Sequence, residues 1–271
     1  NDPTPQTYNY LFDNSNFIQS GAGKAYQVNA DGNTTSLNAG EQTATYTLED
    51  RLQSFTNNSL SANFKYDPFG QRVEANRGGI ITKYVRDLLS DNILVELDAN
   101  DVPLYYYIYN LDGTLLARFN VATQKFSYYH GDIRGSVVAI TNESATITHH
   151  YEYEDFGTIS YIYEAPNEPN RFRYIGTLGV EYENDDLYYM RARYYQPSTG
   201  RFLSQDPVWS TNLYIYADNN PVTYVDPDGE LLETAADVVS LAESTIAFAA
   251  DPNLVNGAFL VWDIAATVVP A

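Results

Sequence analysis

The sequence predicts an all-β fold built from stacked hairpins, and three observations carry that reading. An aromatic residue is followed six positions later by glycine at Tyr26/Gly32, Phe64/Gly70, Tyr107/Gly113, Tyr129/Gly135 and Tyr151/Gly157. Around each glycine, aromatic and apolar residues alternate with polar ones, as in Phe64-x-Tyr66 before Gly70 and "RVEA" after it, which is the period of a strand. Tyrosine, a strand former, occurs 25 times in 271 residues.

The units follow one another along the chain. "YQVNADGN", "FKYDPFGQR", "YIYNLDGT", "YHGDIRGS" and "YEYEDFGT" each read as an entering strand, a polar turn and a leaving strand. The glycine takes a backbone conformation with positive φ at no steric cost. Tyr46 ("YTLEDRLQSF") and Tyr84 ("YVRDLLSD") fill the gaps as degenerate copies, which sets a period of about twenty residues and roughly seven units. A lone hairpin cannot bury its apolar face, so neighbours must stack side by side.

Leu187 to Pro207, "LYYMRARYYQPSTGRFLSQDP", follows the units. Strand alternation places Tyr188, Met190, Ala192 and Tyr194 on one face and Leu187, Tyr189, Arg191, Arg193 and Tyr195 on the other. Arg191 and Arg193 are expected to stack on tyrosine rings and to pair with oxygens inside the fold, the nearest carboxylates being those of Glu181 to Asp186. "QPSTG" then makes a turn. After Gly229 the composition changes. Asp228 caps an expected helix from about Leu231 to Ala249, "DPN" breaks it, and residues 257–269 form a second apolar segment.

Bulk chemistry excludes several functions. Thirty-five acidic against fifteen basic residues give a net charge of −20, a field that repels nucleic acid and anionic membrane. With no cysteine there is neither a disulfide framework nor a thiolate metal site. The run "GAFLVWDIAATVVPA" is too short to span a bilayer, and Asn1 begins no basic-then-apolar leader. Asp98, Asn100 and Asp101, "ENDD" and "DPDG" could offer oxygens to calcium but match no EF-hand, and polar turns explain them more simply. His130, His149 and His150 do not converge, because adjacent strand residues point to opposite faces. No cofactor and no metal is expected.

The copies resemble the YD repeats of Rhs proteins, teneurins and insecticidal toxin-complex shell subunits. "YYHGDIRGSVVAITN", "YEYEDFG", "NRFRYIGTLGVEYENDDLYYMRARYYQPSTGRFLSQDP" and "NLYIYADNNPVTYVDPDG" resemble, in that order, the Rhs-repeat-associated core. The resemblance covers Tyr26 to Gly229. It implies a coiled β-shell in residues 1–128, the associated core in 129–229 and a helical segment preceding a toxin in 230–271. It also implies a toxin or effector held by the shell, a secretion machinery as partner, and a secreted or cell-surface bacterial location. No toxin motif follows before Ala271, so the chain is expected to be the C-terminal part of a longer shell or a shrunken version of one.

Catalytic residues come from the same resemblance. Asp206 and Asp226 each precede proline, which biases them to extended backbone on a bend. In the family the arginine of "GRF" and the two aspartates of the Asp-Pro units form an aspartyl autoprotease, and Arg201, Asp206 and Asp226 match those positions. Two carboxylates brought together share one proton, one acting as base and the other polarising the scissile carbonyl. The chain departs from the pattern at Trp209, where glycine usually stands, and at Glu230, where many members carry leucine at the cut. The expected function is thus a shell scaffold that carries a C-terminal domain and cuts itself after the core. The alternative is a cell-surface adhesin that stacks glycans on exposed tyrosines. Inward-facing aromatics favour the scaffold and solvent-facing ones the adhesin.

Overall fold

The computed structural model describes residues 9–166, 168–184, 186–208, 212–230 and 233–234. Sixteen strands form one antiparallel sheet in strict chain order, the meander expected of side-by-side hairpins. It opens with β1 (Leu11–Phe12), β2 (Ile18–Gly21), β3 (Lys24–Val28), β4 (Thr34–Leu37), β5 (Gln42–Tyr46) and β6 (Leu52–Thr56). It continues through β7 (Ser61–Tyr66), β8 (Arg72–Arg77), β9 (Ile80–Arg86), β10 (Ile93–Leu97) and β11 (Pro103–Tyr109). It ends with β12 (Leu115–Asn120), β13 (Lys125–Gly131), β14 (Val137–Asn142), β15 (Ile147–Tyr153) and β16 (Ile159–Glu164). A smaller sheet follows, of β17 (Glu181–Asn184), β18 (Leu187–Met190), β19 (Arg193–Gln196) and β20 (Arg201–Phe202). Last come β21 (Tyr224–Val225) and β22 (Glu233–Thr234), which pair with each other.

One turn design recurs in six of the seven hairpins from β3–β4 to β15–β16, and the β9–β10 turn is a variant one residue longer. At Asp67 the side-chain oxygen accepts the N–H groups of Phe69 and Gln71 (both 2.9 Å), while the Gly70 N–H returns to the Asp67 carbonyl. Gly70 takes φ +85°, and the register slips one residue between Lys65 and Tyr66. This is a type I turn closed by a bulge whose left-handed position favours glycine. Asn29, Asn110 and Asp132 repeat it. Thr47 opens one degenerate turn, with Asp50 at φ +58° in the glycine's place, and Asp87 opens the other, whose left-handed residue Asp91 (φ +55°) comes one position later. Counted from these turns, Tyr84 aligns with Phe64. Tyr46 aligns with Tyr66 instead, two residues later than its sequence register suggests.

The repeat aromatics Tyr26, Phe64, Tyr84, Tyr107, Tyr129 and Tyr151 are buried. Two residues on, Tyr46, Tyr66, Tyr109 and Tyr153 donate their hydroxyls to the carbonyls of Thr34, Leu52, Ile93 and Val137 (2.7–2.9 Å). Each acceptor begins the leaving strand of the preceding hairpin, so each tyrosine ties one unit to the one before. Arg86 does the same to Arg72 through its Nε (2.6 Å). Removing one such hydroxyl, as in Tyr66→Phe, is expected to lower stability by about 1 kcal/mol with the fold intact. A urea midpoint unchanged from wild type would show that these ties are redundant.

The small sheet lies against the aromatic face of the large one. Phe172, Leu187, Tyr189, Tyr194 and Leu203 share a buried cluster with Phe55, Phe64, Tyr84, Tyr107 and Tyr129. Backbone flanking the small sheet also joins the large one, since Thr34 N of β4 donates to Leu203 O (2.7 Å) and Val137 N of β14 to Arg173 O (2.8 Å). Between them lies an ionic clasp. Arg72 is fully buried where other units carry Leu52, Ile93, Leu115 or Val137. Its guanidinium binds Glu181 (2.5 Å) and Glu183 and lies 4.0 Å from the centre of the Tyr189 ring. Arg86 also binds Glu181 (2.5 Å), Arg77 binds Glu183 (2.6 Å), and Arg171 binds Glu96 (2.7 Å).

Leu187–Gln196 is not one strand. β18 and β19 form a hairpin that pairs Tyr188 with Tyr195 and Tyr189 with Tyr194, with Arg191 in the left-handed region at φ +46°. The two-face assignment drawn from continuous alternation is therefore corrected, because the turn reverses the chain at Arg191–Ala192. Beyond Glu230 only Glu233 and Thr234 are described, and they form a strand where the first helical turn was expected. The rest of the expected tail, and Trp209, lie outside the described residues. Among the described residues, no helix is long and apolar enough to cross a membrane.

Candidate functional site

The chain leaves the small sheet through Asp226-Pro-Asp-Gly229, which lies over the β18–β19 turn. Ala192 N donates to Asp228 O (3.0 Å) and Arg191 Nη1 to Pro227 O (3.1 Å). Gly229 sits at φ +72°, and a Cβ there would come within 2.5 Å of Met190 O, so no other residue fits without moving the backbone. From the other side Asp206 is fixed by its own N–H on Leu213 O (2.8 Å) and by its Oδ1, which accepts Val208 N (2.8 Å).

These anchors bring Asp206 and Asp226 together on Arg193. A single nitrogen, Nη2, lies 2.9 Å from Asp206 Oδ2 and 3.0 Å from Asp226 Oδ2. Arg193 also donates Nε to the Gly229 carbonyl and Nη1 to the Leu213 carbonyl (3.3 Å), and its guanidinium carbon lies 3.7 Å from the centre of the Phe202 ring. One positive charge thus faces two carboxylates. Asp226 is 4% exposed, and burial pushes its carboxyl well above the usual range against the pull of Arg193, with Asp228 and Asp206 pushing the same way. Burial likewise raises Asp206, less completely screened from water. A carboxyl pair that shares one proton can offer one group as acid and the other as base. The Gly229–Glu230 peptide is gripped on both sides, its carbonyl by Arg193 and its N–H by Asp226 Oδ1 (3.0 Å).

Arg201 is not part of this arrangement. Its Nη1 donates to Gly200 O (2.8 Å) and Asn219 Oδ1 (2.7 Å), and its guanidinium covers the Tyr10 ring at 4.1 Å. The side chain of β20 points toward the first strands, whereas β19 points Arg193 at the aspartates. As the sequence predicts, Arg193 binds oxygens within the fold. Its partners are Asp206 and Asp226, however; of the carboxylates between Glu181 and Asp186, Glu181 and Glu183 join the clasp and Asp186 pairs with Lys24 at 3.6 Å. Asp98, a calcium candidate by composition, accepts its own turn's N–H groups from Asn100 (2.8 Å) and Val102 (2.9 Å).

Comparison with known proteins decides the family. Over 241 residues the chain is 34% identical to the tRNA3(Ser)-specific nuclease WapA of Bacillus spizizenii, a match covering 84% of this chain and 10% of that protein. Toxin subunit YenC1 of Yersinia entomophaga is 33% identical over 113 residues, 40% of this chain and 12% of the subunit. The chain belongs to the Rhs/YD-repeat family. This Rhs chain spans about a tenth of the length of the Bacillus relatives it matches. It is also 25% identical over 229 residues to double-stranded DNA deaminase toxin A of Burkholderia cenocepacia, covering 69% of this chain and 15% of the toxin. Among solved structures, the TcdB2-TccC3-Cdc42 crystal structure superposes with a TM-score of 0.61 at 20% identity, over 82% of this Rhs chain and 13% of that chain, which shows a common fold. No family model matches the chain.

Proposed function

We propose that this Rhs chain is part of a secreted or cell-surface β-shell scaffold that encloses or carries a C-terminal effector, and that it cuts itself where the chain leaves the core. The scaffold reading is supported by the relatives' names. A tRNA nuclease and a DNA deaminase toxin share most of this region while differing in stated activity, and the shared part is 10% and 15% of their lengths. A part common to different activities is a carrier and not the activity itself. Burial of the repeat aromatics points the same way. On the opposite face Val85, Val95, Tyr106, Phe119 and Phe126 form one cross-strand row from β9 to β13, the observation that most favours a surface-binding alternative.

Self-cleavage rests on Asp206 and Asp226 sharing Arg193 beside the Gly229–Glu230 peptide. In this mechanism the ionised aspartate activates a water. The protonated one gives its proton to the departing amide nitrogen, and Arg193 stabilises negative charge developing on the carbonyl oxygen. The test is intact mass of the polypeptide carrying its native continuation after Ala271. Wild type should yield a separate downstream fragment, while Asp206→Asn and Asp226→Asn stay whole and folded. A wild-type chain intact after days, or variants cut as fast as wild type, would sink the proposal.

A further inference from the structure

The hairpins share a core position that the last of them leaves open. On each leaving strand one residue stands directly across from the core residue of the entering strand, as Ala75 stands opposite Phe64 and Ile140 opposite Tyr129. In six hairpins this residue is Leu37, Phe55, Ala75, Glu96, Arg118 or Ile140, and each is 0–4% exposed. The next entering strand closes the position with a residue of its own directly opposite, Ala62 on Phe55 and His149 on Ile140 being two cases. In the β15–β16 hairpin the residue is Ile162, opposite Tyr151, and it is 48% exposed.

β16 is the last strand of the large sheet, and among the described residues only β15 pairs with it. The chain after it does not run along its free side. Ala165 N returns to Thr148 O (2.8 Å), His149 Nε2 lies 2.6 Å from Glu168 O, and Arg118 Nη1 donates to Pro169 O, contacts that lead back across β15 and β12. Because Ala165 and Thr148 are a bonded pair, the alternation of an antiparallel ladder makes Tyr163 and His150 the next one. It turns the N–H and C=O of Ile162 to the free side. Tyr161 and Tyr163, on the outer face, are as exposed as Ile162, so both faces and the edge are open at one point. Natural edge strands are blunted by shortness, lysine or proline. β1, at the other end of the sheet, has two residues, whereas β16 has six, Ile-Ser-Tyr-Ile-Tyr-Glu, with neither lysine nor proline. Its one charged side chain, Glu164, is bound by Arg173 at 2.8 Å and by the Tyr151 hydroxyl.

We propose that β16 is an assembly edge that pairs antiparallel with β16 of a second copy, so that the large sheet runs on from one copy into the other. The strand is complementary to itself. Tyr161-Ile162-Tyr163 reads the same in both directions, so a two-fold axis at Ile162 sets this residue against its own counterpart and Tyr161 against Tyr163 of the second copy. Ile162 then exchanges its free backbone bonds with its counterpart, and the tyrosines meet on the outer face as close cross-strand pairs. The core position that six hairpins bury is thereby closed in the last one too, in both copies at once. Glu164 falls opposite Ser160, so no like charges face each other across the strands. The pairing is independent of the carrier and self-cleavage readings.

Net charge sets the expected salt dependence. Each chain carries −20, so two copies repel through solvent, while the strand contact itself is uncharged. Salt screens the repulsion and leaves the contact, and association should tighten as salt is raised, the reverse of a contact built on ion pairs.

The test is sedimentation velocity of the 271-residue chain across concentration and salt, with amide hydrogen exchange read residue by residue. A concentration-dependent dimer, stronger at high salt, is expected. The Ile162 amide should exchange freely in dilute protein and become protected in the dimer, whereas the Tyr163 amide, bonded to β15, is protected in both. Ile162→Lys places a charge on the core face of the edge and should weaken association at least about tenfold with the melting temperature little changed. The chain has no cysteine, so Ile162→Cys supplies one thiol per chain. Across the two-fold the Cα atoms would lie about 5.5 Å apart, within disulfide range, and mild oxidation should give a covalent dimer. Val85→Cys, exposed on the outer face away from the edge, should not. A wild-type chain that stays monomeric at about 100 μM in high salt overturns the proposal, since even a small specific interface associates there. So does a dimer that Ile162→Lys leaves intact or in which the Ile162 amide still exchanges freely. If the lysine variant fails to fold, the cross-link decides, and equal yields from Ile162→Cys and Val85→Cys overturn the assignment.

Discussion

Glu181→Gln should lower stability by about 3 kcal/mol, seen as a melting temperature about 10 °C below wild type. Glu181 is fully buried and joins Arg72 to Arg86 at 2.5 Å each, with Arg171 at 3.9 Å. Four arginines meet there. Glu96, Glu181, Glu183 and Asp91 balance them, the last through Arg86 at 3.3 Å. Removing one carboxylate leaves a guanidinium in a dry, aromatic environment with too few acceptors, which costs far more than loss of a surface pair. Lys83→Ala, which breaks the exposed contact with Asp101, is the control and should leave the melting temperature unchanged. The clasp also sets an acid limit. The surrounding guanidiniums overcome burial and hold Glu181 at about 2, below its ordinary 4.5. The folded state then binds fewer protons than the unfolded one. The stabilisation is complete above pH 4.5 and is lost as pH falls through 2. The difference in melting temperature between wild type and Glu181→Gln should therefore shrink across that window. A glutamine variant melting within a degree of wild type at neutral pH would show that the clasp contributes register and not stability.

What the sequence made legible was local. The aromatic-x5-Gly units became hairpins because turn, bulge and core-facing aromatic all lie within eight residues, and Gly32, Gly70, Gly113, Gly135 and Gly157 take positive φ together. The sequence leaves Tyr46 ambiguous because tyrosine serves two positions in the unit, one lining the core and one, as at Tyr46, reaching back to a neighbouring carbonyl. The β18–β19 turn was hidden for a different reason. Neither Gly, Pro nor Asn marks it, and Arg191 holds φ +46° with its guanidinium on Pro227 O, Asn92 Oδ1 and Leu178 O, partners up to 99 residues away. Ile175, β-branched and fully buried at φ +40°, is another such point. Its strain, on the order of 1–3 kcal/mol, is held by packing and by Ser136 Oγ, which accepts its N–H at 3.1 Å. The two aspartates could be picked out by their Asp-Pro bends. Their arginine could not, because choosing between Arg193 and Arg201 depends on which way the strands of a hairpin face.

Arg193→Lys should reduce self-cleavage at least about 100-fold, whereas Arg201→Lys should leave it within a few-fold of wild type. Arg193 uses three nitrogens at once: Nε on the Gly229 carbonyl, Nη1 on the Leu213 carbonyl, and Nη2 between Asp206 and Asp226. A planar fork does this with one side chain, and a single ammonium cannot reach the carbonyls and both carboxylates together. With lysine, the aspartates would keep a positive charge nearby but lose the geometry that couples them to the peptide they are to cut. Arg201 acts 18 residues from its Asn219 partner and against Tyr10, contacts that seal the first strands and touch neither aspartate. Arg201→Lys should therefore show its effect in the melting temperature and not in the cleavage rate. The measurement is the rate of fragment appearance in the longer polypeptide, with near-ultraviolet circular dichroism of the tyrosine-rich core reporting that each variant is folded. Equal loss of cleavage in both variants, or full activity in a folded Arg193→Lys, would return the catalytic arginine to "GRF" and leave Arg193 as a strut that holds the exit strand closed.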